Sequence, residues 1–193
     1  EHYTGVKVLG YLPRRDDLRL PERHLGLIPT VEGPASQDFL DNLIAQIETT
    51  FNIPEILRLS EQTAVPETAP ALFPPVKQTP VVSIAVARDK AFSFYYQDSL
   101  DLLEAWGAEI APFSPLQDTS LPEGVSGIYI GGGFPELYAE QLAANTNMKN
   151  AIAKAVKQGM PACAECGGLM YLGESIRDLK GKDHSMVGAL PVS

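Results

Sequence analysis

One segment, residues 161–172 (PACAECGGLMYL), constrains the fold more than any other part of the chain. Its first half predicts a short buried strand and its second half a helix, with a sharp turn between them at Cys166. Gly167 and Gly168 open the helix, where the first backbone N–H groups have no partner and the positive end of the helix dipole lies. Two glycines there let another backbone or a substrate approach the sulfur closely. A strand–cysteine–helix turn of this kind is an environment for a nucleophile.

Strands alternate with helices through the second half of the chain, which predicts an α/β fold with a mostly parallel sheet. The predicted strands are residues 81–87, 108–113, 127–130 and 162–165, and the predicted helices are residues 96–106 and 147–158 and a helix from Gly167. Arg88, the triple glycine at 131–133 and Cys166 each follow a strand. Because the carboxyl ends of parallel strands share one edge, we expect all three to lie on one rim, where α/β proteins bind ligands.

The chain divides at residues 62–80, which contain five prolines and predict an extended linker. Upstream, residues 6–11 predict a buried strand, residues 25–28 a second short strand, and residues 36–51 a helix capped by Ser36. This upstream part is too short and irregular for a typical independent domain. We therefore predict the tail of a larger α/β domain at 1–61 and a second domain at 81–193.

Charge and composition argue against two classes of partner. The 193 residues carry a formal net charge of −9, and no cluster of Lys and Arg is present. Nucleic acid and anionic membrane surfaces are therefore not expected to bind. No apolar run approaches the length of a membrane span, and Glu1 does not open a signal peptide.

The two cysteines of the chain, Cys163 and Cys166, leave more than one interpretation open. Their spacing is that of a C-x-x-C redox pair, whereas a zinc site would lack a second pair of ligands. The strand prediction places Cys163 inside the sheet as a small hydrophobic side chain. Glu165 lies beside Cys166, and successive side chains of a strand point to opposite sides of the sheet. Glu165 is therefore more typical of a supporting residue than of a catalytic one.

The triple glycine at 131–133 is the second chemical element of the sequence. Consecutive glycines after a strand expose backbone N–H groups without side-chain cover. One of these amides together with that of Gly167 could form a two-donor oxyanion hole near Cys166. A tight turn that needs positive φ is the structural alternative. A phosphate loop is disfavoured, because no Lys-Ser/Thr follows.

Four segments in a fixed order resemble one family. They are residues 20–27 (LPERHLGL), 86–96 (VARDKAFSFYY), 131–136 (GGGFPE) and 164–172 (AECGGLMYL). The last three resemble the glutamine amidotransferase domain of the cobyrinic acid a,c-diamide synthase family, and the first resembles the end of its ATP-binding synthetase domain. The resemblance covers nearly the whole chain. It implies the three-layer, flavodoxin-like sheet of class I glutamine amidotransferases, preceded by a remnant of a P-loop, dethiobiotin-synthetase-like domain over residues 1–61.

The resemblance also implies a function for each half of the family's proteins. The glutaminase domain hydrolyses glutamine through a cysteinyl thioester and releases ammonia, without a metal or cofactor of its own. The synthetase domain uses ATP and Mg²⁺ to amidate the a and c carboxylates of cobyrinic acid in cobalamin biosynthesis. Carried over, Cys166 matches the nucleophile, and Gly132, Gly133 and Gly167 match the region that holds the oxyanion and glutamine.

A motif that contains Arg88, Tyr95 and Tyr96 also matches the family, without individual roles for its residues. The two tyrosines are more typical of core or interface aromatics than of a binding site. The partners implied are glutamine and a corrinoid or related tetrapyrrole, with homo-oligomerisation as an option and the cytoplasm as the location. Alternatives are a relative of the cobyric acid synthase or nickel-sirohydrochlorin diamide synthase type, and a non-catalytic α/β binding or interface module.

The sequence departs from the family pattern in two respects. It contains no G-x-x-x-x-G-K-[ST], so the sites for ATP and Mg²⁺ are expected outside it. The family's glutaminase also uses a histidine base downstream of the cysteine. Here His184 alone follows Cys166, in a polar segment (LKGKDHSM) that predicts a solvated loop. We therefore expect a fragment that is truncated at its C-terminus, carries the nucleophile half of the site and is inactive alone.

Overall fold

A computed structural model describes residues 2–20, 28, 33, 35–62 and 72–193. The chain forms two compact units, Glu1–Pro70 and Ala71–Ser193. Most of the strand predicted at 25–28 lies outside the described residues, as do residues 63–71 of the predicted linker. The rest of that linker, residues 72–80, contains neither helix nor strand.

The described residues of the first unit form two helices, α1 (Gln37–Thr50) and α2 (Ile53–Glu61), and a 3₁₀ turn at Asp16–Leu18. Ser36 caps α1 as predicted, since its hydroxyl accepts a hydrogen bond from the Phe39 N–H at 3.2 Å. The buried strand predicted at 6–11 is wrong. These residues are largely exposed and make one antiparallel bridge, from Gly10 to Phe51. Among the described residues of this unit no strand lies beside them, and a lone strand is not stable in water.

The second unit is built on a parallel sheet of β1 (Val82–Ala87), β2 (Ala108–Phe113), β3 (Gly127–Ile130) and β4 (Ala162–Ala164). The strand order is β2-β1-β3-β4. In the register, Ile84 pairs with Ile110 on one side and Gly127 on the other, and Tyr129 pairs with Cys163. The predicted α/β fold with a parallel sheet is confirmed, with strand bounds within one residue of those expected.

Helices cover both faces of this sheet. They are α3 (Gln97–Ala105) between β1 and β2, α4 (Ala139–Ala144) and α5 (Thr146–Lys157) between β3 and β4, and α6 (Gly167–Leu172) after β4. The first crossover leads to one edge of the sheet and the second to the other. Because such crossovers are right-handed, α3 lies on one face and α4–α5 on the opposite face. The largest buried side chains include Ile130 of β3, Leu142 of α4, Met148 and Ile152 of α5, and Tyr171 of α6.

The α3 side of the sheet is open over β3 and β4. A groove of about 530 Å³ lies there, lined by Leu102 and Leu103 of α3, Tyr129 of β3 and Cys163 of β4, among others. Cys163 is exposed in this groove. The prediction of a buried Cys163 is therefore wrong, although its place in a strand is right, because no described element covers this face of β4.

His184 lies in an antiparallel hairpin of β5 (Ser175–Arg177) and β6 (Asp183–Ser185), opposite Ile176. It is 6% exposed, and its Nε2 lies 2.8 Å from Asp178 Oδ2. The hydrogen bond with His184, together with those from the Lys182 and Lys180 amides, lowers the pKa of Asp178 to about 2. The predicted solvated loop is wrong, because the polar turn at 178–182 closes a hairpin whose inward face buries Ile176 and His184.

Candidate active site

The carboxyl edge of the parallel sheet brings together the three segments expected there. Arg88 follows β1, residues 131–133 follow β3, and Cys166 follows β4. An antiparallel bridge between Phe94 and Gly132 also ties the loop after β1 to the glycine loop. The predicted common rim is confirmed, since β1, β3 and β4 are adjacent and parallel.

Cys166 occupies a sharp turn between β4 and α6, as predicted. Its φ is 50° and its ψ is −116°, and it is the one non-glycine residue with positive φ in the described parts of the chain. For a residue with a Cβ, such a conformation costs on the order of 1–3 kcal/mol. The turn is held on its inner side by the Gly168 N–H, which donates to the Glu165 carbonyl at 2.8 Å. The result is an exposed thiol on a strained backbone.

The two glycines after Cys166 permit the close approach that the sequence predicted. A Cβ on Gly168 would lie 2.1 Å from the Ile130 carbonyl oxygen, and a Cβ on Gly167 would lie 2.7 Å from Pro135 Cδ. Real Cβ atoms essentially never lie this close to another heavy atom. Gly168 therefore lets the start of α6 lie against the end of β3, and Gly167 lets it lie against Pro135 and the Gly133 backbone.

Two backbone amides lie free beside the thiol. The Gly132 N–H donates to the Phe94 carbonyl at 3.3 Å, whereas the N–H groups of Gly133 and Gly167 have no acceptor among the described residues. A Cβ on Gly167 would be 3.2 Å from the Gly133 nitrogen, so these two glycines are neighbours. The Cβ of Cys166 lies 3.5 Å from the Cβ position of Gly132, which places the cysteine against this loop. Of the glycines expected at an oxyanion site, the geometry thus favours Gly133 and Gly167 as donors and engages Gly132 in the bridge.

The backbone strain at Cys166 predicts that a glycine there stabilises the fold. Cys166→Gly removes the Cβ that disfavours positive φ, whereas Cys166→Ala removes the thiol and keeps the Cβ. We expect the glycine variant to be more stable than the alanine variant by about 1 kcal/mol, after the greater freedom of glycine in the unfolded chain is deducted. Urea unfolding of the two variants measures the difference. If the alanine variant were as stable as the glycine variant or more stable, the backbone at Cys166 would not be strained.

Two tyrosines and an acid support the rim from the α3 side of the sheet. The Tyr129 hydroxyl donates to Glu165 Oε1 at 2.6 Å, and burial followed by this hydrogen bond raises the pKa of Tyr129 above its ordinary value. The Glu165 N–H donates to the Ile130 carbonyl at 3.1 Å. Tyr95 packs edge-on against Tyr129, with ring centroids 5.3 Å apart. The sequence offered no signal for these contacts, because they join residues that are more than 30 positions apart in the chain.

Several kinds of site are not found in the part of the chain that the structure describes. Cys166 has no histidine partner there, and Cys163 and Cys166 are both free thiols. No group of three or more His, Cys, Asp or Glu could hold a metal ion among those residues. No helix in the described ranges is both long enough and apolar enough to cross a bilayer.

A cysteine on a strained strand-to-helix turn, with two free amides beside it, defines an α/β protein suited to nucleophilic attack on a carbonyl carbon. Residues 83–193 match the model of the CobB/CobQ-like glutamine amidotransferase domain. The chain belongs to this family.

The chain is also similar to curated proteins named cobyrinate a,c-diamide synthase. The protein from Dehalococcoides mccartyi is 53% identical over 193 residues, which cover 99% of this chain and 42% of that protein. The protein from Caldanaerobacter subterraneus is 47% identical over 97% of this chain and 41% of its own length. A crystal structure described as a peptidase E protein from Listeria monocytogenes matches 59% of this chain and 65% of that one, with 13% identity and a TM-score of 0.46. The chain thus spans about two fifths of the curated relatives.

Proposed function

We propose that this chain contains the nucleophile site of a glutamine-hydrolysing domain that supplies ammonia to an amide ligase. The observation that carries the proposal is the pairing of the Cys166 turn with the free amides of Gly133 and Gly167. Membership of the glutamine amidotransferase family supports glutamine as the amide that is attacked.

The proposed reaction begins with attack of Cys166 Sγ on the side-chain amide carbon of glutamine. A C–S bond forms, and the carbonyl oxygen becomes an oxyanion that accepts hydrogen bonds from Gly133 and Gly167. Such donors contribute roughly 10²–10³ in rate each in other acyl-transfer enzymes. The C–N bond then breaks, the nitrogen leaves as ammonia with an added proton, and a thioester remains. Water hydrolyses the thioester to glutamate and restores the thiol.

The leaving nitrogen needs a proton donor, and water must later be deprotonated. His184 is held by Asp178 in the β5–β6 hairpin, 2.8 Å from that carboxylate. We therefore propose that the acid and base come from a histidine other than His184, and that this chain alone turns glutamine over at a rate near background.

The amidation step is proposed from the relatives. Their name supports cobyrinate as the acceptor, amidated at its a and c carboxylates. ATP and Mg²⁺ would activate those carboxylates, but the sequence has no P-loop and the described residues hold no acidic cluster suited to a metal. We therefore propose that both bind outside this chain. A cytoplasmic location and self-association remain predictions.

A chloroketone analogue of glutamine tests the proposal through Cys166. Both cysteines are exposed, so iodoacetamide should alkylate both, whereas the chloroketone carbonyl gains from the two amides at Cys166 alone. We expect the ratio of chloroketone to iodoacetamide rates to be at least about tenfold higher at Cys166 than at Cys163. Rates at each site are measured by peptide mapping, with millimolar glutamine as a competitor.

Glutamine should slow the chloroketone at Cys166 and leave Cys163 unaffected. The variant Cys163→Ser serves as a control, because it removes the second thiol and leaves the turn at Cys166 unchanged. Equal rate ratios at the two cysteines, or no protection by glutamine, would refute glutamine hydrolysis. That result would instead favour a non-catalytic α/β binding module.

A further inference from the structure

We propose that Tyr95 is a positioning residue whose hydroxyl fixes the glycine loop at 131–133, so that the Gly133 amide stays directed toward the Cys166 site. The inference rests on the proposed function, since it assigns Tyr95 a part in holding the oxyanion donors. Tyr95 itself need not touch substrate.

The Tyr95 hydroxyl joins the ends of two adjacent strands. It donates to the carbonyl of Ala87, the last residue of β1, and accepts a hydrogen bond at 2.8 Å from the N–H of Gly131, the first residue after β3. Strands β1 and β3 pair in the sheet up to Val86 and Tyr129. The hydroxyl therefore continues the connection between them beyond the last backbone pairing, with its proton and one lone pair both used.

The Tyr95 ring also sets the shape of the loop. A Cβ on Gly131 would lie 2.6 Å from Tyr95 Cε1 and 2.7 Å from its Cζ, so the ring lies directly against the Gly131 backbone. Tyr95 is also linked to the segment that carries the nucleophile. It packs on Tyr129, and Tyr129 donates a hydrogen bond to Glu165, the residue before Cys166. Tyr95 thus contacts Gly131, which precedes the Gly133 donor, and Tyr129, which binds the residue before Cys166.

Burial keeps this hydroxyl protonated. Desolvation by burial is the main cause that raises the pKa of Tyr95 to about 12. The hydrogen bond from the Gly131 N–H opposes it by lowering the pKa, and the charges of Asp89, Arg88 and Glu165 have smaller effects of mixed sign. At neutral pH the proton is therefore always available for the Ala87 carbonyl. The two hydrogen bonds of the Tyr95 hydroxyl are therefore unchanged between pH 6 and 9.

Among the described residues, hydrogen bonds hold this loop at Gly131 and Gly132, and Tyr95 supplies the one at its beginning. Gly132 is held by its bridge to Phe94, and Gly131 by the tyrosine hydroxyl. Loss of the hydroxyl leaves the Gly131 N–H and the Ala87 carbonyl unpaired, and the peptide groups that follow gain freedom to rotate. The Gly133 N–H then points at the oxyanion for a smaller share of the time.

The test compares Tyr95→Phe with Tyr96→Phe in the same labelling assay. Tyr96 is the neighbouring tyrosine and its side chain is 76% exposed, so its variant makes the same chemical change without touching the loop. We expect Tyr95→Phe to slow alkylation of Cys166 by the glutamine chloroketone about tenfold. Iodoacetamide should react at an unchanged rate, because it lacks the glutamine group that seats the chloroketone carbonyl on the two amides while the thiolate displaces chloride. Tyr96→Phe should change neither rate.

Each other result has a defined meaning. Equal slowing of both reagents by Tyr95→Phe would show that the tyrosine merely supports the fold and would overturn the inference, as would no slowing of the chloroketone. If the wild-type protein shows no chloroketone preference at Cys166, the proposed function itself fails and the inference falls with it.

A second substitution covers the case in which Tyr95→Phe does not fold. 3,5-Difluorotyrosine at position 95 keeps the ring and both hydrogen bonds while its hydroxyl is protonated, and it ionises at lower pH than tyrosine. Once ionised, it cannot donate to Ala87, so the chloroketone-to-iodoacetamide ratio at Cys166 should fall as pH rises. The ratio corrects for titration of the thiol itself. If this ratio changed with pH in the same way in the fluorinated protein and in the wild type, the inference would be overturned.

Discussion

Replacement of Cys166 by serine should abolish the use of glutamine by the ligase that this domain is proposed to serve. A serine hydroxyl at the same strained turn is a far weaker nucleophile than a thiolate, so glutamine-dependent amidation should fall by a factor on the order of 10³ or more. Amidation with added ammonium should remain largely intact, because free ammonia bypasses the thioester alone. Both rates are measured on the same preparation, with glutamine or ammonium chloride as the nitrogen source.

The matched control for this experiment is Cys163→Ser. It makes the same chemical change at an exposed cysteine that lies in strand β4 and away from the turn. It should keep both activities. A folded Cys166→Ser protein that loses ammonia-dependent amidation as well would contradict the division of labour between the two activities. Retention of glutamine use would remove Cys166 from the reaction.

The parallel sheet and its rim were predictable because they depend on local sequence. Alternating apolar runs and capped helices set the order of elements, and parallel topology then places every strand end on one edge. The sharp turn at Cys166 was predictable for the same reason, since a strand, a cysteine and two glycines follow each other directly. What remained open in the sequence was which amides of the glycine loop are free.

That question depends on pairing between distant segments. Gly132 is bound by Phe94 and Gly131 by Tyr95, so Gly133 is the residue of the loop left with a free N–H. The exposure of Cys163 and the burial of His184 have the same origin. The burial of each side chain depends on which other element covers its strand. These strands have only one or two residues on each face, so their sequence does not show whether a face is covered.

In the first unit, one error and one omission have different causes. Residues 6–11 are mostly apolar, as in a buried strand, but a strand needs a partner, and the described residues offer one bridge, at Gly10. Helix α2 is absent from the sequence-based prediction, although its start signals are ordinary. Asn52 caps it through the Glu55 N–H at 3.1 Å, and Pro54 stands in its first turn.

A large loss of stability is expected from Gly168→Ala. The added Cβ would lie 2.1 Å from the Ile130 carbonyl oxygen, 2.8 Å from its carbon and 3.0 Å from the Gly131 carbonyl oxygen. All three atoms are backbone at the end of β3, and the Ile130 carbonyl is also held by the Glu165 N–H. Neither side can yield without breaking the turn, so we expect a loss of about 3 kcal/mol or more in the free energy of unfolding. Thermal melting should show a fall of roughly 10 °C.

Gly127→Ala is the matched control, because it adds the same methyl group to a glycine at the start of β3, the strand whose other end Gly168 packs against. Its Cβ would lie 3.6 Å from the Pro161 carbonyl oxygen, which is ordinary contact, and its φ is not in the left-handed region. The control should stay within about 1 kcal/mol of the wild type. Equal melting temperatures for the two variants would mean that α6 can move away from β3 at no cost. The Gly133 and Gly167 amides would then not be held together by the fold, and the proposed oxyanion site would lose its structural basis.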